Sequence, residues 1–430
     1  MLAWAAASAG LALAAGASAE DMANMPGMQH GSVPAPESGE PAMTMMAGTS
    51  GPYVMMRDGS GTSWQPDSSP MEGLHFQSGG WTGMVHGSVD LVYDHQGGPR
   101  GDDKTFSSSM LMVMGQHELG PGRLTLKTML SLDPAMGKSG YPLLLQTGET
   151  ADGATPLIDR QHPHDLFMEL AAIYSVPLGA ETTGFVYAGY PGEPALGPPA
   201  FMHRASGMDN PAAPITHHWL DSTHITYGVI TTGLANGAWK IEGSVFNGRE
   251  PDQFRWNFDP LRLDSWSGRI SWNPTSNWAL QASYGHIKQP EQLEPGVSQH
   301  RVTASVSYNR SFSGGNWQTT FAWGRNYMEP GPTLDAFLLE SALGLGRHTI
   351  FARAENAQKN ELFQAPSPLA GRAFRVSTFS LGYIYDIPVA RHLALGLGGL
   401  GSAYALPAAI KPAYGGDPSS VMGFVRMKIR

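Results

Sequence analysis

Three methionines spaced three apart, Met22, Met25 and Met28, stand just before His30, and Met43, Met45 and Met46 follow in the same polar stretch. Thioethers are soft ligands that suit Cu(I), and a neighbouring imidazole suits copper in either oxidation state. In a flexible chain, Met-x-x-Met-x-x-Met gathers ligands without a preformed site, which gives modest, exchangeable binding. Residues 20–58 hold eight of the chain's 22 methionines among Pro, Gly, Ser, Ala and acids. They show no sustained helix or strand period and read as disordered. The bland alternative is a low-complexity linker that tolerates methionine and serves as an oxidant sink.

Two further stretches carry metal-ligating types. DRQHPHDLFMEL, residues 159–170, contains His162, His164 and Asp165; THHWLDSTH, residues 216–224, contains His217, His218, Asp221 and His224. His-x-His alternation presents two imidazoles to one metal with a carboxylate beside them. Loop packing through hydrogen bonds accounts for either stretch as well, and Pro163 fixes the backbone between the first pair. FNGREPDQFRWNFD, residues 246–259, mixes Arg249, Glu250, Asp252, Arg255 and Asp259 with aromatics and reads as a folded, salt-bridged loop that caps a pore or docks a partner. There is no G-x-S-x-G, H-E-x-x-H or phosphate loop, so no enzyme is expected. The chain has no cysteine, which excludes disulfides, zinc–thiolate sites and cysteine nucleophiles. A net charge of −9 argues against a nucleic-acid partner.

The elements that must position these groups are legible from Trp81 onward. Residues 1–19, MLAWAAASAGLALAAGASA, read as a secretory signal ending in Ala17-Ser18-Ala19, although no Lys or Arg precedes the apolar run. Residues 20–80 then form a Met-rich tail and linker, and residues 81–430 the body. Here runs of about ten residues alternate in polarity. RLTLKTMLSL sets Leu124, Leu126, Leu130 and Leu132 against Lys127 and Ser131, and RVTASVSYN does the same with Val302, Ala304, Val306 and Tyr308. The connections alternate between short turns, such as SGGN at 313–316, and long Pro/Gly-rich loops, such as 133–163, 191–221 and 248–263. Trp239, Trp272, Trp278 and Trp317 each lie within three residues of a short turn, as an aromatic belt requires. We therefore expect an all-β fold: a transmembrane antiparallel barrel of about sixteen strands in the bacterial outer membrane, surrounded by outer-membrane lipid, with a disordered N-terminal tail in the periplasm. A soluble sandwich does not sort its connections in this way. SVMGFVRMKIR resembles the C-terminal assembly strand of such barrels, but ends in Arg430 instead of an aromatic residue.

Sixteen strands enclose more space than one layer of side chains fills, so a water-filled or plugged lumen follows. By alternation Lys127, Lys240, Glu242, Arg301, Arg353, Glu355, Arg426 and Lys428 face inward or lie at the rim. Such charges select solutes through a transverse field, or merely form the solvated face of any barrel.

A signal peptide, a segment containing MANMPGMQHG and a barrel together resemble the outer-membrane copper-resistance protein B family. The motif match covers residues 22–46, with one histidine where that family has several; residues 81–430 resemble porin-like proteins more loosely. The resemblance implies metal tolerance at the outer membrane, with Met22, Met25, Met28, His30, Met43, Met45 and Met46 as ligands. No cofactor is required, a copper ion is the bound species implied, and a periplasmic copper-handling protein is the implied partner. The oligomeric state stays open. A general or substrate-specific porin without a metal role, and a structural or adhesive surface barrel, are the rival readings.

Overall fold

The computed structural model describes residues 46–430. Sixteen antiparallel strands form the wall: β1 (Trp81–Gln96), β2 (Asp103–Leu119), β3 (Gly122–Leu130), β4 (Phe167–Pro177), β5 (Thr182–Gly189), β6 (Val229–Asn236), β7 (Trp239–Phe246) and β8 (Ser265–Thr275). The second half adds β9 (Trp278–Ile287), β10 (Ser298–Phe312), β11 (Gly315–Glu329), β12 (Thr333–Leu345), β13 (His348–Lys359), β14 (Phe374–Ala390), β15 (Leu393–Ala405) and β16 (Ser419–Ile429). Each pairs with the next, and β16 returns to β1 with Phe424 opposite Val92 and Arg426 opposite Asp90. The seam is locked by an Arg426–Asp90 ion pair at 2.8 Å. Closure leaves no strand edge exposed, which an apolar surrounding demands because it offers backbone groups no partners.

The expected strands all form, with some ends displaced. The loop expected at 191–221 runs on to residue 228 and the next strand begins at Val229, because residues 222–224 turn within the barrel and Thr226 bridges to Gly192. Seven connections, none longer than the four residues 178–181, lie at one end; the other end carries the long loops and one tight connection, residues 330–332. Outward positions such as Leu91, Ile241, Ile270, Leu339, Phe379 and Val421 are apolar and exposed. Near the short-turn end Trp239 stacks on Trp272 at 4.9 Å, and Tyr308 sits between Trp278 and Trp317 at 4.6 and 5.5 Å. An apolar band with an aromatic girdle is the outer surface of a membrane-spanning barrel.

Three segments enter the lumen. Two are long loops, residues 131–166 and 190–228; the first contributes a buried hairpin of Tyr141–Thr150 and Pro156–Gln161. The third corrects the expected linker. Residues 46–72 are not a disordered approach to the barrel; they are folded against its inner wall. Arg57 donates to the Gly237 carbonyl at 2.7 Å, and Asn273 donates to the Gln65 carbonyl at 2.8 Å, so this segment fills the short-turn end. Residues 74–78 then pair with β1. The segment lacks a period because polar contacts to the wall, not an apolar stripe, hold it in place.

Small inward residues make room for these insertions. Trp219 packs among Ala322, Leu334, Ala336, Leu338 and Ala357, and its indole N–H donates to the Leu334 carbonyl at 3.1 Å. A Cβ at Gly324 would collide with the Trp219 backbone. Gly324→Val should therefore push this turn off the wall and cost about 1–3 kcal/mol through overpacking, which a thermal unfolding curve would show.

Candidate functional site

The wall built from β1, β2 and β3 carries a patch of sulfur and imidazole. Register places His86 beside Met112 and Met112 beside Met129, while Met84 lies beside Met114 and Met114 beside Lys127. A bulge opposite Met129 turns Met168 and Glu169 inward together; such an extra residue re-aims its neighbours. From the inserted segments come Met46, Met55, Met71 and Met202. With Met110, ten of the 22 methionines gather in one cluster. Many of them line a cavity of about 510 Å³, shared with His86, His203 and Lys127, which reaches Gly314 and Gly346 in the short turns. His203 Nε2 donates to the Met129 sulfur at 3.0 Å, and the His86 and His203 rings are 6.1 Å apart. Burial pushes the His203 imidazole down to about 3, so it stays neutral, the form that ligates metal.

Of the proposed tail ligands, Met22, Met25, Met28, His30, Met43 and Met45 lie outside the described residues. Met46 is described, and it belongs to this luminal cluster. The alternating run Met110-Leu111-Met112-Val113-Met114 was the available sequence signal for the chamber: period two within a strand puts all three thioethers on one face.

The two histidine stretches, separate in sequence, meet at the opposite end of the lumen. His162 lies 6.5 and 6.2 Å from His217 and His218 between ring centres; His224 lies 5.1 Å from His217 and 5.3 Å from His164. Two imidazoles on one tetrahedral ion stand about 5 Å apart between ring centres. Three rings are oriented through Nδ1: His164 by Asp133 at 2.8 Å, His217 by Asp221 at 2.8 Å and His224 by the Asp221 carbonyl at 2.8 Å. That hydrogen bond fixes the tautomer and leaves Nε2 as the lone pair, the usual support of a metal-binding histidine. Nε2 of His164 and of His224 is buried without a partner. Burial lowers His162 to about 3 and also lowers His217, His218 and His224.

The two aspartates of these stretches have supporting places. Asp165 faces Arg255 at 3.1 Å and Tyr227 at 3.3 Å. Asp221 takes Arg204 at 2.7 Å besides His217. Burial works to raise the Asp221 carboxyl, but Arg204 and His217 prevail and hold it below the usual range. Glu250 and Glu291, neither among the expected ligands, come within reach of His218. Burial lifts the Glu250 carboxyl to about 7, and burial together with Glu250 raises Glu291 well above the carboxylate range.

The inward-facing charges meet the inserted segments. Lys127 binds Glu169 and the Gly61 carbonyl, both at 3.2 Å. Lys240 reaches the Thr62 carbonyl and lies 3.4 Å from Glu242, which also takes Arg269 at 2.9 Å. Arg353 donates to the Ala212 carbonyl at 2.7 Å, and Glu355 accepts from the Thr216 hydroxyl at 2.8 Å. Arg426 holds Asp209 at 2.9 Å, and Lys428 holds Glu72 at 3.0 Å. Arg301 lines a small cavity beside His218. Most of these charges are therefore anchors for the inserted segments.

No protein-family model and no curated protein matches the chain. Among solved structures it is similar to OprB of Pseudomonas putida at high pH, with 10% identity and a TM-score of 0.52 over 81% of this chain and 94% of that one. It is also similar to Salmonella typhi OmpF in complex with daunomycin, with 8% identity and a TM-score of 0.50 over 83% and 100%. The barrel is porin-like. At such identities the likeness concerns the fold, and the resemblance to the copper-resistance protein B family stands on residues 22–46 alone.

Proposed function

We propose that the protein is an outer-membrane channel that binds soft monovalent ions of the copper type in its lumen, for metal tolerance or passage. The methionine chamber is the observation that carries this reading. Methionine commonly fills irregular gaps in a core. Here the thioethers border an open cavity of about 510 Å³ together with two imidazoles, so they leave the space available instead of filling it. Sulfur and neutral imidazole together select Cu(I) or Ag(I) over hard cations. The chamber reaches the short-turn end, on the periplasmic side in this reading. The tail residues Met22, Met25, Met28, His30, Met43 and Met45 are in this reading further ligands of the same soft ion, and a periplasmic copper-handling protein is its partner.

The test is an Ag(I) titration of the detergent-solubilised protein with Met22, Met25, Met28, Met43 and Met45 changed to Ser, so that the tail adds no thioether. Against that background, changing Met84, Met112, Met114 and Met129 to Leu nearly conserves volume and should cost below about 1.5 kcal/mol per site. It should weaken silver binding by about 100-fold, at the upper end of what loss of support around a metal costs. Equal binding before and after would remove the metal role and leave a porin for other solutes.

A further inference from the structure

We propose that His218, Glu250 and Glu291 form a binding site for a divalent ion of the Zn(II) or Cu(II) kind at the long-loop end of the lumen. The site is separate from the methionine chamber and does not depend on the soft-metal reading. Its three residues come from three connections, 190–228, 247–264 and 288–297.

The ligand atoms lie within 4.8 Å of one another. His218 Nε2 is 3.7 Å from Glu250 Oε2, too far for a hydrogen bond, and both atoms are buried without a partner. Two ligands on one tetrahedral ion with bonds of about 2.0 Å stand about 3.3 Å apart, so a small inward shift completes the geometry. An orphaned lone pair facing an orphaned carboxylate oxygen is a costly arrangement unless something positive sits between them.

The backbone at residues 147–149 cradles the site. Gly148 has a φ of +110°, and a Cβ there would collide with the His218 ring, so glycine is needed for the imidazole to lie where it does. The next residue, Glu149, donates its N–H to Glu291 Oε2 at 3.1 Å, fixing that carboxylate. His218, Glu250 and Glu291 share a cavity of about 30 Å³ with Arg301, room for an ion or a water. Glu361 lines the same cavity, and a cation that binds there displaces the protons that burial favours on the two carboxyls. One imidazole and two carboxylates suit a borderline divalent ion, and a fourth position stays open for exchange. The same donors are poor ligands for Cu(I) or Ag(I), so the two ends of the lumen select different ions.

The experiment uses the full-length protein in detergent, stripped with chelator and titrated calorimetrically with Zn2+, with Ca2+ as the hard-ion comparison. We expect one tight Zn2+ per chain, and Ca2+ binding weaker by at least about 100-fold for want of the imidazole contribution. Glu291→Gln and His218→Asn should each weaken Zn2+ by about 100-fold or more, while the Met84, Met112, Met114 and Met129 to Leu protein keeps the site. Heat-modifiable gel mobility checks that each variant retains its barrel. Wild-type protein that takes up no Zn2+ beyond a surface background, or either variant binding it like wild type, overturns the proposal.

Discussion

Arg204→Met should unseat the 190–228 loop, lowering the unfolding temperature and raising the conductance of the barrel in a planar bilayer. Arg204 is buried, and its guanidinium reaches across the lumen: Nε donates to Glu340 on β12 at 2.6 Å, and Nη1 to Asp221 at 2.7 Å and to the Pro199 carbonyl at 2.8 Å. Glu340 also takes the Ser206 hydroxyl at 3.0 Å and Arg353 at 3.2 Å. Taking such a network out of water is expensive, and an apolar replacement of the whole set can be neutral. Removing one member is different: Glu340 keeps Arg353 and Ser206, and Asp221 keeps His217, but each buried carboxylate loses its closest cation; the expected cost is about 3 kcal/mol, the lower end for breaking a buried pair. The consequence spreads, since Asp221 orients His217 and accepts from His224 through its carbonyl. Arg204→Met combined with Glu340→Leu should not recover the loss, because it also takes the carboxylate from the buried Arg353. If Arg204→Met melts and conducts like wild type, this ion network does not hold the loop across the lumen.

The wall was readable from the sequence and its contents were not, for a physical reason. Strand alternation follows from two faces meeting different solvents, so Val421 and Val425 outward against Arg426 inward could be assigned residue by residue. Residues 46–72 and 190–228 show no such period: they are surrounded by wall on all sides, and their backbone groups are satisfied by wall side chains such as Lys127, Asn273 and Arg353. A Pro/Gly-rich segment bound in this way looks the same in sequence as a solvated linker. The charges on the inner face were placed by alternation, but alternation could not show that they meet inserted loops instead of open water. Pairing between distant loops was equally invisible. Glu291 sits in QPEQLEPG without a motif, and only the fold brings it to His218. The methionine chamber was half legible, through the 110–114 run. Its other members arrive from five different segments, so no local count reveals them.

Deleting residues 46–72 should have the larger effect on passage and a smaller one on stability. Each luminal cation that the segment touches keeps an acid after its removal. Lys127 retains Glu169 at 3.2 Å, Lys240 and Arg269 retain Glu242 at 3.4 and 2.9 Å, and Lys428, which loses Glu72, retains Asp386 at 3.3 Å. What is lost is mostly neutral: the carbonyls of Gly61 and Thr62, the Thr62 hydroxyl and the Gln65 carbonyl. Neutral partners at a wall that becomes hydrated are replaced by water at about 0.5–1.5 kcal/mol each, so the barrel should still assemble. The segment nevertheless occupies the short-turn mouth and supplies Met46, Met55 and Met71 to the chamber. Its loss should raise conductance several-fold and weaken Ag(I) binding about tenfold, since the wall methionines on β1 to β4 remain. Removing only residues 20–45 separates the tail from the plug. That change should lower the number of silver ions bound per chain while leaving conductance and the chamber's affinity as they were. Unchanged conductance after deletion of 46–72 would put the constriction in the long loops 131–166 and 190–228, so that Arg204→Met, which frees the second, would be the variant that opens it.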